Sequence, residues 1–135
     1  MELHIKITGA LFILLGCLHA GFPNYFRWKK ELEQLSLINR QMMYVHTFFI
    51  ALTVCLMGVG CLYAAHDIAT ARLGKYLSLG LFIFWGLRFL FQFFYYSPLL
   101  WKGKGFETAM HVFFGLLWGY VSVVFLLAFL GSPVK

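Results

Sequence analysis

Few residues in this chain can do chemistry, and they stand at similar distances from one end of successive apolar runs. His19, His46, Arg88, Gln92 and His111 interrupt long hydrophobic stretches with groups able to ligate, exchange protons or bind anions. Glu107 precedes His111 by one helical turn. Three chemistries follow. Imidazoles level with one another on facing helices are the geometry for axial haem ligation, so His46 and His111 are candidate ligands of a haem b. In that reading Gly16 and Gly115 leave room for the porphyrin and Arg88 faces a propionate. His19, His46 and His111 could instead hold a transition metal such as Zn, Cu or Fe, with Glu107 as the carboxylate needed to offset Arg88. The third chemistry needs no cofactor. Arg88, Gln92, His46 and His111 would line a pocket for an anionic or quinone-like headgroup, ringed by Tyr44, Tyr95 and Trp85.

No local motif selects among these. The chain has no Cys-x-x-Cys-His haem attachment, phosphate loop, nucleophile elbow or HExxH pair. Cys17, Cys55 and Cys61 all fall in apolar runs, and the spacing of Cys55 and Cys61 keeps them off a common helix face.

The elements that must position these residues are membrane helices. Of 135 residues, 61% are hydrophobic, 20% aromatic and 12% charged. A soluble domain carries about 25% charged residues, and a globule this small cannot hide so much apolar surface. An ordinary cytosolic enzyme, a disordered tail and a disulfide-stapled module are thereby excluded. The expectation is an all-α integral membrane protein, one transmembrane domain over residues 1–135, built as a four-helix bundle of up-down topology.

Spans are expected from Ile7 to about Phe22, Met42 to Ala65, Tyr76 to Tyr96 and Phe106 to Gly131, near the roughly 20 residues a bilayer core needs. Leu14-Leu15-Gly16-Cys17 loosely resembles a lipoprotein cleavage box, but the first run is read as a span. Breaks are expected at Phe22-Pro23-Asn24, Ala65-His66-Asp67, Ser97-Pro98, Lys102-Gly103-Lys104-Gly105 and Gly131-Ser132-Pro133. Between the first two spans, residues 26–38 place Trp28, Leu32 and Leu35 at helical spacing, which predicts an amphipathic segment along the headgroups.

Four spans put both termini on one side with the 65–75 connection. The other side holds connections 21–41 and 97–105, with Arg27, Lys29, Lys30, Arg40, Lys102 and Lys104 against Lys6, Arg72, Lys75 and Lys135. The positive-inside rule turns the more basic side to the cytoplasm. The net charge of +6 is split between two faces and does not form a nucleic-acid surface; basic loops of this kind meet anionic lipid.

Counted from that basic side at about 1.5 Å per residue, His46, Gln92 and His111 each lie roughly 7 Å deep. Arg88 is one turn deeper than Gln92, and His19 is shallower. Each span thus contributes to one polar layer, whereas the opposite half offers only small groups such as Thr8 and Ser78, with His66 at its interface. An arginine at a helix centre costs about 2.5–3.5 kcal/mol on insertion scales, so convergence on a shared chamber is expected.

The competing readings are structural. Arg88 snorkels past Gln92 and Tyr95; Gln92 and the histidines bond neighbouring helices; Glu107 complements a helix dipole; Gly58, Gly60, Gly115 and Gly119 serve close packing. On those readings the protein is a non-catalytic accessory or assembly subunit of a larger membrane complex, or a homo-oligomer, rather than a haem, metal or electron-transport module.

Overall fold

A computed structural model describes residues 1–131 and is all-helical, with 85% helix and no strand among the described residues. The helices are α1 (Glu2–His19), α2 (Phe22–Tyr25), α3 (Trp28–Glu31), α4 (Leu37–Tyr63), α5 (Ala65–Thr70), α6 (Arg72–Phe94) and α7 (Gly105–Gly131), with a 3-10 turn at Pro98–Leu100. The expected stop at Ser132-Pro133 and the cation Lys135 lie outside the described residues. Helices α1, α4, α6 and α7 are long and apolar enough to cross a membrane, by length and composition. Their outer faces are rich in exposed Phe, Leu and Ile, among them Phe48, Phe49, Ile50, Phe84 and Leu116. Water would penalise such surfaces and hydrocarbon would not.

Several boundaries differ from expectation. Helix α1 runs from Glu2 to His19 and so starts and stops earlier than the apolar run. Its last turn is closed by the His19 ring, whose Nδ1–H donates to the Leu15 carbonyl at 2.7 Å and satisfies a terminal acceptor. Pro23 therefore does not end the span. It sits in the first turn of α2, where its missing N–H costs nothing. Helix α4 begins before the apolar run: Ser36 is its extended N-cap (φ −56°, ψ 151°), and the Ser36 carbonyl accepts from Arg40 N–H at 3.0 Å.

The amphipathic stretch is interrupted rather than continuous. Before α4 begins at Leu37 only Trp28–Glu31 of the stretch is helical, because Arg27 takes a left-handed conformation before it and the chain turns after Leu32. Leu32 is buried, Trp28 half-buried and Leu35 exposed, so the three do not share one face.

The described chain packs as two compact units, one of residues Lys6–Ala64 and one of Met1–Ile5 with residues 65–131. In the first, α1 and α4 meet through glycines. A Cβ on Gly9 would lie 2.8 Å from the Gly58 carbonyl oxygen, and one on Gly58 would lie 2.7 Å from that of Gly9. A Cβ on Gly16 would collide with Cys55 Sγ. In the second, α6 and α7 pair along their length. The Phe93 and Phe89 rings fill the notches at Gly115 and Gly119, and Gly74 admits the α5 backbone at Ile68. Small residues that let helices approach are the usual device of membrane bundles. Gly60, by contrast, meets nothing within 4 Å.

Candidate functional site

The second unit brings together three of the expected site residues. Arg88 and Gln92 are one turn apart on α6, and Arg88 Nη1 donates to Gln92 Oε1 at 3.3 Å. The Gln92 amide nitrogen donates to His111 Nδ1 at 3.0 Å and to the His111 carbonyl at 3.3 Å, both on α7. The amide orientation is settled at both ends. A guanidinium has no acceptor to offer and a carbonyl no donor, so oxygen must face Arg88 and nitrogen His111. It follows that Nδ1 of His111 is an acceptor and the ring proton sits on Nε2.

Aromatic rings wall this relay. The Arg88 guanidinium lies 5.1 Å from the Trp118 ring and 5.6 Å from that of Tyr96. Trp118 stacks on Trp85 at 5.0 Å, and Phe93 presents an edge geometry to His111. The connection from α6 to α7 supplies one more wall. Ser97 Oγ accepts from Leu99 N–H, Gly103 reverses the chain at φ 81°, and Thr108 Oγ1 donates to the Trp101 carbonyl at 2.6 Å. The result holds the Trp101 indole parallel to the His111 imidazole, 4.3 Å apart and 12° from coplanar. Trp101 is absent from the sequence-based site. Its signal was an aromatic residue beside a basic turn at a span end, which suits any membrane interface.

The site is rich in donors and poor in acceptors. Arg88 forms no ion pair among the described residues. The buried Nε1–H groups of Trp101 and Trp118 find no acceptor there, although Trp118 is only 3% exposed. Buried N–H groups are rarely left so.

Of the other expected members, Glu107 shares this unit but takes no part in the relay. Glu107 is exposed at the start of α7 and makes no hydrogen bond or ion pair among the described residues. His46 and His19 belong to the first unit. His46 is exposed on α4 without a hydrogen-bond partner among the described residues, and His19 is spent on its own helix end against the Phe22 ring. Tyr44 pairs edge-on with Trp28 in that unit, while Tyr95 is exposed and packs on Phe91 and Tyr96.

Haem and metal binding draw no support from these residues. No group of three or more His, Cys, Asp or Glu side chains that could hold a metal ion occurs among the described residues. A ligating imidazole normally donates its second N–H to an acceptor. His111 instead meets a donor at Nδ1, beside a guanidinium that repels cations. The porphyrin space expected at Gly16 and Gly115 is filled by Cys55 and Phe93.

Polar contacts also occur at the opposite end of the second unit, where the sequence suggested only small groups. The Glu2 carboxylate pairs with His66 Nδ1 at 2.8 Å, and His4 Nδ1 lies 3.1 Å from the Tyr120 hydroxyl. The Glu2 hydrogen bond and charge raise the His66 pKa above the ordinary 6.5.

Comparison of the chain with protein-family models, with curated proteins and with solved structures gives no match.

Proposed function

We propose that this chain is a multi-pass membrane protein whose Arg88–Gln92–His111 relay binds the oxygen-rich headgroup of an amphiphile, either quinone-like or an anionic lipid. The observation that carries the reading is the unbalanced donor set. Among the described residues, a half-buried guanidinium without a carboxylate, two indole N–H groups without acceptors and an imidazole with its proton on Nε2 all ask for an oxygen acceptor. Carbonyl, carboxylate and phosphate oxygens meet that need; ammonium and metal cations do not. Stacked aromatic walls suit a planar ring as well, which favours a quinone-like headgroup among the acceptors. Gln92 acts as the positioning group, tying the guanidinium to the imidazole across α6 and α7.

In this reading the four long helices cross the bilayer in up-down order, and connections 21–41 and 97–105, the more basic ones, face the cytoplasm. A ligand would enter from the hydrocarbon beside Tyr96 and Trp101.

The test is quenching of tryptophan emission in the detergent-solubilised protein by a short-chain benzoquinone amphiphile and, separately, by a brominated anionic lipid. Saturable quenching by either, lost in Arg88→Met and weakened in Arg88→Lys, is the expected result. Quenching that neither saturates nor responds to Arg88 would leave the relay as interhelical glue in an accessory subunit.

A further inference from the structure

The first unit carries a second anion-seeking feature that the relay does not explain. The connection that joins α1 to α4 forms a shallow, open concavity of about 310 Å³, lined by Arg27, Lys29, Lys30 and Glu33. Three cations face one carboxylate there, yet none of the four forms an ion pair among the described residues. The concavity therefore presents a net positive charge.

The backbone adds an independent observation. Arg27 has φ 50° and ψ 43°, the one non-glycine residue among those described with positive φ. Left-handed backbone is unfavourable for a residue with a Cβ, and glycine would relieve it. Arg27 stays there as the N-cap of α3, its carbonyl accepting from Lys30 and Glu31 N–H at 2.9 and 3.0 Å. That reversal is what sets its guanidinium on the same rim as the two lysines. The local backbone bonds thus hold a cluster of cations together on one rim.

The surroundings identify where the ligand comes from. Two apolar helices end and begin within this connection, at His19 and Leu37. Tyr25 and Phe26 are 65% and 50% exposed, and Trp28 packs edge-on against Tyr44. Exposed aromatics beside cations at span ends belong at the headgroup level of a bilayer. We propose that Arg27, Lys29 and Lys30 bind the phosphate of an anionic membrane lipid, with Glu33 limiting the affinity and rejecting a second anion. The inference does not rest on the relay and stands whether or not the relay binds a ligand.

The experiment is a competition between phosphatidylglycerol and phosphatidylcholine for the full-length protein in detergent, read by native mass spectrometry. It is run in the native chain and in an Arg88→Met background, so that lipid held at the relay is counted apart. Neutralising each cation to glutamine should lower the preference for phosphatidylglycerol about fivefold. Glu33→Gln should raise it, and added salt should reduce it. Arg27→Gly is the sharpest variant, because it should bind phosphatidylglycerol more weakly while unfolding at higher denaturant. A native preference in the Arg27→Gln/Lys29→Gln/Lys30→Gln protein overturns the site. So does a preference abolished by Arg88→Met alone, or one removed by inorganic phosphate at concentrations equal to the lipid.

Discussion

Gln92 holds His111 from two directions, donating to its Nδ1 at 3.0 Å and to its carbonyl at 3.3 Å. The bond fixes the ring proton on Nε2, with the Arg88 guanidinium holding the amide the other way round from a flip. Replacement of Gln92 by Glu should reverse this. A carboxylate would pair with Arg88 and require a proton on Nδ1. Nitrogen-15 shifts of His111 should report the Nε2–H tautomer in the native protein and the Nδ1–H form, or imidazolium, in Gln92→Glu. Gln92→Leu should cost roughly 1–3 kcal/mol by stranding its partners.

The same geometry predicts that the protein does not take up haem through His111. Added haemin should produce no Soret band that depends on His111 or His46. A band lost in both His111→Ala and His46→Ala would restore bis-histidine ligation and refute the tautomer assignment.

Glycine substitutions should separate notches from open surface. Gly58→Ala and Gly16→Ala place a methyl against the Gly9 carbonyl and Cys55, and should destabilise by roughly 1–3 kcal/mol. Gly60→Ala meets nothing and should stabilise by up to about 1 kcal/mol through helix propensity. Unfolding in mixed detergent micelles reads all three. Equal effects at Gly58 and Gly60 would mean that α1 and α4 do not touch where described.

The Glu2–His66 pair makes a pH prediction. The folded pKa of His66 is raised above 6.5 by Glu2, so its contribution is complete below the unfolded value and is lost as pH rises through the folded one. Proton titration by NMR should find His66 above 6.5, and Glu2→Gln should bring it down. Both side chains are exposed, so the global stability change should be small. An unchanged titration in Glu2→Gln would remove the pair.

Much of the fold was legible before any coordinates. Composition and run length pointed to four long apolar helices, and the structure has four helices long and apolar enough to cross a membrane. Helix spacing also put Arg88 beside Gln92, since residues four apart share a face whatever the packing. Boundaries were less legible. The early start of α4 rests on one extended serine, and the end of α1 on a histidine bonding its own backbone, choices that apolar run length does not encode.

The candidate site divides along the same physical line. Sequence by itself determined which costly side chains exist, how many residues separate them along the chain and which pairs are neighbours on one helix, because those follow from covalent spacing and a fixed rise. Tertiary structure alone decided that His111 meets Gln92, that Trp101 covers its ring, that His46 is exposed and that Gly16 and Gly115 are filled. Such contacts depend on the rotation of one helix against another and on the path of a connection. Both are set by the sum of many weak packing terms rather than by any local residue pattern.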